Sequence, residues 1–363
     1  EDITIDAGGS GQAAQITGTV SLNTNGVGGN AAIGTANAIN FAASNVGGNL
    51  TAATATGNIT DSGDVVVGGT SAFNILTGAG DITLNNAGLA LTGATSLNTF
   101  AGNAEIINSI ALDLGTSGIT GNLLATATTG NITDSGAVTV SGTSGFTTSA
   151  ANADIDINFP ASLTGAASFS TNGATGNATL VNAIATNIGA STVGGNFAVT
   201  SNTGNITNSG VASAGGTTTF NATAGTINVG TGSNYTGTGA VILNSSGNST
   251  FTNQTAINFG ASTIGGNAAI VAVTGNITDS GAVGVTGTSS FTTSAANATI
   301  TLDFPANLVG AASFNTTGAA GNVTVVNAGG IDLGTSNVGG NMTLTANAGN
   351  ITDTGATTVA GNF

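Results

Sequence analysis

The sequence predicts an all-β parallel β-helix, a β-solenoid of about fifteen coils in five three-coil blocks of ~73 residues, and three observations predict it. A short phrase recurs five times: TGNITDSG at 56–63, 129–136 and 274–281, TGNITNSG at 203–210, and AGNITDTG at 348–355. Its glycines, Gly57, Gly130, Gly204, Gly275 and Gly349, stand at successive intervals of 73, 74, 71 and 74. Between these phrases, apolar residues alternate with small polar ones in short runs bounded by Gly, Asn and Ser, which is the pattern of strands. No helical stripe competes, and the 60 glycines oppose helix.

Composition narrows the chemistry. The 363 residues include no Lys, Arg, His or Cys and 15 acidic residues, a formal net charge of −15. Charged residues are 4% of the chain, against roughly 25% in ordinary soluble domains. No run approaches the roughly 18 apolar residues of a membrane-spanning helix, and a 40% apolar share opposes disorder. Without His or Cys there is no Ser-His-Asp triad and no Cys/His zinc site; without Lys there is no Schiff base or P-loop. Nucleic acid is excluded as a partner, because nothing neutralises phosphates. Residue 1 is Glu, so either a leader has been removed or the chain is a segment of a longer one.

Other markers keep the same step. The GGN-type turn places Asn49, Asn122, Asn196, Asn267 and Asn341 in one series and Asn30, Asn103, Asn177, Asn248 and Asn322 in another. A third series is Phe73, Phe146, Phe220 and Phe291. Block boundaries fall at 1–47, 48–120, 121–194, 195–265, 266–339 and a partial 340–363, all within one continuous solenoid over 1–363. Inside a block, turn-plus-strand units start near Gly48, Gly69 and Gly93, and the next block starts at Gly121, so the spacings are 21, 24 and 28. DITL (Ile82, Leu84), AVTV (Val138, Val140) and TINV (Ile227, Val229) are typical strands. Such a unit cannot bury a core alone but can when copies stack. A string of β-sandwiches is the alternative; those need nearer about 100 residues each and leave the inner repeat unexplained.

Within the phrase, each glycine supplies a corner needing positive φ or close backbone approach, and the following Asn58, Asn131, Asn205, Asn276 or Asn350 bonds local backbone. Ile59, Ile132, Ile206, Ile277 and Ile351 are expected to form one buried column, and the four phenylalanines an internal stack. Residues 137–182 and 282–327 are near-duplicates at an offset of 145, both with a Phe-Pro pair (Phe159-Pro160, Phe304-Pro305).

Candidate metal ligands are Asp61, Asp134, Asp279 and Asp353. Asn208 replaces the aspartate in the third phrase, and copies three coils apart cannot share an ion with ligand distances of about 2.3–2.6 Å. Asx-turn bonding accounts for Asp and Asn equally. Asp154 and Asp156 form an i, i+2 carboxylate pair of the kind glycoside hydrolysis uses, but the duplicate carries Thr299 and Thr301 there. No catalytic residue, cofactor or required metal is expected. Thr-rich runs at 52–56 and 125–129 are too uneven for a flat ice-binding array, and sequons such as Asn49, Asn131 and Asn276 follow from composition.

The quoted stretches VGGN (46–49), GNITDSGAVTVSGTSGF (130–146), GAASF (165–169) and LGTSNVGGN (333–341) resemble the repeats of filamentous-haemagglutinin-like, β-strand-repeat secreted bacterial surface proteins, exported by two-partner secretion or as autotransporters. The resemblance covers essentially the whole chain. It implies a right-handed β-helical stalk, extracellular or on the bacterial surface, that carries adhesion or self-association. Implied partners are copies of the chain, end to end or laterally, and surface glycans or proteins of a host or neighbouring cell. A self-assembling filament subunit is the second reading; a polysaccharide-acting enzyme would need acids clustered on adjacent coils. The opening EDITIDAG and closing TTVAGNF are nearly in phase, so a fibre continuing beyond both termini is expected, with an axial repeat of ~70 Å.

Overall fold

Alternation in the sequence becomes alternation of burial. In the strand Ala31–Thr35, Ala31, Ile33 and Thr35 are buried, and Ala32 and Gly34 face outward. The same inward-outward pattern holds in Leu50–Thr54 and Ser71–Ile75, so the three strands stack in parallel with Ala31, Leu50 and Ser71 in register. A computed structural model describes residues 1–5, 14–24, 26–232 and 234–363; residues 6–8 of the opening EDITIDAG lie outside them. Strand pairing is parallel, and no helix occurs among the described residues. The fold is an all-β parallel β-solenoid. The chain divides into two compact units, Glu1–Ala183 and Ile184–Phe363.

In unit 1 each turn has two walls. The first wall begins with continuous strands such as Ala31–Thr35. The second is broken into pairs of shorter strands by a bend, as in Ile39–Phe41 with Ser44–Val46 and Ile59–Asp61 with Val65–Val67. At Ala104–Asn108 the walls exchange roles. This continuous strand joins the second wall, pairing with Ile82–Leu84. The next two short strands, Leu112–Leu114 and Ser117–Ile119, both lie along Thr95–Asn98 of the first wall, through Thr95 with Leu114 and Asn98 with Gly118. Ala31 and Ala104, one block apart in the sequence, therefore stand on opposite walls.

Following the first wall shows the true period. Its rungs run Ala31, Leu50, Ser71, Thr95, Leu112–Leu114, Ile132, Ile155, Ala178, so seven turns separate Ala31 from Ala178. In unit 2 one wall runs Phe197, Thr218, Val241, Ile257–Phe259, Ile277, Ile300, Val323, Met342, and seven turns again separate its ends. Each of these spans is two blocks long. The five blocks are present, but each holds three and a half turns rather than three. The long unit read from Gly93 is one turn and a half. The reason is that strand and turn signals are the same on both walls, so periodicity alone does not say on which wall a strand lies. The offset of 145 between the near-duplicates is two blocks, the first whole number of turns.

The expected columns are corrected accordingly. Ile59, Ile132, Ile206 and Ile277 are fully buried, but Ile59 lies on the second wall of unit 1 and Ile132 on the first. In unit 2, Ile206 and Ile351 share one wall and Ile277 the other; Ile351, on the last rung, is 47% exposed. Phe73 and Phe146 are likewise on opposite walls of unit 1, as are Phe220 and Phe291 in unit 2. Each of three rings instead meets an aromatic outside the series: Phe73 edge-on to Phe41 at 6.3 Å, Phe146 stacked on Phe169 at 5.6 Å, Phe291 stacked on Phe314 at 5.9 Å. Stacking needs neighbours on adjacent turns, and the series residues are three and a half turns apart.

Candidate functional site: corner ladders and wall junctions

The corners are built from side chains that reach to the next turn. Asn30 Oδ1 accepts the Asn49 N–H at 2.9 Å, and Asn49 Oδ1 accepts the Thr70 N–H at 2.8 Å. Glycine is needed where the next turn passes this amide, because a Cβ at Gly69 would stand 2.2 Å from Asn49 Oδ1. The wall exchange merges two sequence series at one corner. Asn58, from the NIT phrase, accepts from Asp81 N–H; Asp81 accepts from Asn103 N–H, Asn103 from Asn122, and Asn122 from Thr143, at 2.9, 2.7, 2.9 and 2.8 Å.

The other phrase residues take corresponding places, and the local backbone bonding expected of them is corrected: each amide oxygen accepts from the next turn, 21 or 23 residues along the chain, because stacking brings that N–H beside the corner. Asn131, Asn205 and Asn276 accept the N–H of Asp154, Thr226 and Thr299, each at 2.9 Å. Asn350 lies on the last rung, where its carbonyl accepts the Ile331 N–H. Gly57, Gly130, Gly204 and Gly349 have φ of +92°, +119°, +121° and +88°. At Gly275 close approach is the constraint, a Cβ there lying 2.8 Å from the Ala256 Cβ.

Three of the four candidate metal ligands hold backbone through Oδ1, while Oδ2 of Asp134 and of Asp279 is buried without a hydrogen-bond partner. Asp61 Oδ1 accepts the N–H of Asn85 at 2.9 Å; Asp134 Oδ1 accepts those of Asn158 and Phe159 at 3.0 and 3.2 Å; Asp279 Oδ1 accepts those of Asp303 and Phe304 at 3.1 and 3.4 Å. Asn208 does the same for Gly230 at 2.9 Å. Burial pushes the carboxyls of Asp61, Asp134 and Asp279 above their ordinary value, although the backbone donors pull them down. Asp353 is exposed on the last rung. Asp154 and Asp156 divide their roles: Asp154 accepts from the Asn177 backbone and side chain at the corner, and Asp156 accepts from Asn158 Nδ2 on the outer face. Among the described residues no three metal-ligating side chains gather.

Four residues that sequence reasoning passed over mark the wall junctions. Asn108, Asn182, Asn253 and Asn327 are buried. Each ends a continuous strand and presents its carboxamide to the last residue of the broken wall below. Asn108 Oδ1 accepts the Leu91 N–H at 2.9 Å while its Nδ2 donates to the Leu91 carbonyl at 3.0 Å. Asn182 treats Leu163 in the same way, Asn253 treats Gly237, and Asn327 treats Leu308. The amide stands in for a peptide unit where the backbone ladder stops, satisfying groups that would be costly to bury unpaired. The signal was present: AEIIN, ATLVN, STFTN and VTVVN each put Asn at an inward position of a strand.

A family model described as repeats of unknown function (DUF5649) matches residues 28–98, 101–173, 175–244, 246–315 and 320–363. The chain belongs to this family. The matches start at intervals of 73, 74, 71 and 74, so one DUF5649 repeat corresponds to three and a half turns and one wall exchange. Asn108, Asn182, Asn253 and Asn327 hold the same place, counted from the start of their DUF5649 matches, and Thr35 holds it in the first. No curated protein and no solved structure matches the chain.

Proposed function

We propose that this chain is a segment of a non-enzymatic β-solenoid stalk or fibre belonging to a large bacterial surface adhesin, working outside the cell. One observation carries the reading. The polar side chains best placed to do chemistry are engaged in joining one turn to the next, through the corner ladders and the four junction carboxamides. A solenoid so bonded along its axis is suited to holding a binding element away from a surface. The extracellular placement and the adhesin role rest on the resemblance to haemagglutinin-like passengers, and the lack of Cys is compatible with export.

Electron microscopy of cells displaying the native protein tests this. Thin projections labelled by an antibody to this chain are the expected result. Label confined to the cell interior, or release of reducing sugar from polysaccharides by the purified chain, would overturn it.

A further inference from the structure

We propose that a Phe-Pro bulge on one wall of this solenoid seats in a shallow groove on the opposite wall of a second copy of the chain. The bulge is built twice. In strand Ile155–Leu163 the register shifts between Ile157 and Ala161, and in Ile300–Leu308 between Leu302 and Ala306. The residues left over, Phe159-Pro160 and Phe304-Pro305, stand out from the sheet, a position that tolerates proline. The two phenylalanines are 48% and 51% exposed. Asp134 and Asp279 hold their N–H groups, so each ring is presented at a set place. Single exposed apolar residues are ordinary, but these are the same residue of a duplicated module.

The groove is also built twice. In unit 1 it is a concavity of about 430 Å³ along the second wall, with Glu105, Leu124 and Ser168 in its lining. In unit 2 the equivalent residues of the next two-block module, Thr250, Ala269 and Ser313, line a concavity of about 290 Å³. Each unit therefore carries one bulge and one groove, on opposite walls and at equivalent places. A contact between two different faces of identical chains is heterologous, and where its rotation does not close a ring it builds open-ended arrays.

Hydrogen-bonding complementarity selects the preferred groove, while the net charge of −15 opposes association of copies and is screened at near-physiological salt. Each bulge is acidic, flanked by Asp134 and Asp156 in unit 1 and by Asp279 and Asp303 in unit 2. The unit 2 groove has no carboxylate in its lining and offers the hydroxyls of Thr250, Ser290 and Ser313 as donors. In unit 1, Glu105 repels an acidic bulge. The unit 2 groove is the receptor. One such contact buries far less than the roughly 1,200 Å² of a stable interface, so it is individually weak and gains strength by repetition along a bundle. The proposal deepens the stalk reading, on which it rests, by naming how stalks associate side by side.

Sedimentation velocity of the full chain over a concentration series at near-physiological salt tests it. Wild type is expected to associate with increasing concentration. The doubly substituted F159A/F304A chain should associate about tenfold more weakly or worse, as expected for removal of an aromatic anchor. T250E should weaken association and E105T should strengthen it. All four positions face outward, and circular dichroism checks that the solenoid is intact. Wild type that stays monomeric at every concentration, or F159A/F304A associating as wild type does, overturns the contact, and T250E without effect overturns the groove assignment. Such failures leave the stalk reading standing, whereas label confined to the cell interior or polysaccharide cleavage removes that reading whatever the association state.

Discussion

The carboxamide of Asn253 pairs with Gly237 as a strand residue would, accepting its N–H at 2.8 Å through Oδ1 and donating to its carbonyl at 2.8 Å through Nδ2. Nδ2 also donates to the Ala256 carbonyl at 2.7 Å. One buried side chain thus closes the broken wall below it and starts the next turn. The same arrangement recurs at Asn108 with Leu91 and Ala111.

Replacing Asn253 with Leu keeps the side chain's approximate size and removes these bonds. The orphaned N–H of Gly237 should cost about 1–3 kcal/mol, while its carbonyl keeps the Thr255 hydroxyl at 2.6 Å. Urea unfolding should show a clearly lowered midpoint, and hydrogen exchange should show the loss of protection centred on Gly237. A variant as stable as wild type would mean that the junction carboxamides are dispensable.

Gly69→Ala places a methyl carbon 2.2 Å from Asn49 Oδ1 and 2.7 Å from the Gly48 carbonyl carbon, and the second of these contacts cannot be relieved cheaply. It should destabilise by about 1–3 kcal/mol, the range of overpacking. Asn49→Ala in the same chain should recover part of that loss, because it removes the obstructing amide. The double-mutant cycle measures the coupling; simple additivity would show that the Gly48 backbone, and not the Asn49 amide, excludes the methyl.

Asp61, Asp134 and Asp279 have carboxyls raised by burial above the ordinary value of 3.8. Folding therefore takes up protons. The stability linked to these groups is present below that ordinary value and is lost as pH rises through the raised folded values. Converting all three to Asn should flatten this slope and leave the chain at least as stable as wild type at neutral pH. Asn208 already makes the equivalent contact with Gly230. Urea midpoints measured from acidic to neutral pH test it; a triple variant much weaker than wild type at neutral pH would contradict the assignment.

Ile206→Asp and Ile351→Asp change the same residue of the phrase in different surroundings. Ile206 is fully buried and Ile351 is 47% exposed. The first should cost more than about 4 kcal/mol, as an unpaired buried charge does, and the second only a fraction of that. Thermal unfolding of the two variants should rank them in that order.

The sequence by itself determined that the chain stacks. Gly57 and Ile59, repeated at a nearly constant interval with alternating apolar runs between, specify strands and corners locally, because φ preference and period-2 burial each act over a few residues; the Asn58 amide instead bonds Asp81, 23 residues on. That Asp and Asn are interchangeable in the phrase was legible from Asn208, but the partner was not: Asp61 and Asn208 accept from Asn85 and Gly230 on the next turn rather than closing a local Asx turn. What only the tertiary structure decided is where each copy lies. A block is not a whole number of turns; half a turn is left over, so successive copies face opposite ways, and Ile59 and Ile132 never share a column. Local signals are identical on the two walls, and the remainder left after three turns appears only when the strands are laid in register. The junction asparagines were hidden for the same reason. Asn108 looks like any polar residue closing a strand until Leu91, on the turn below, is brought beside it with a bare peptide to satisfy.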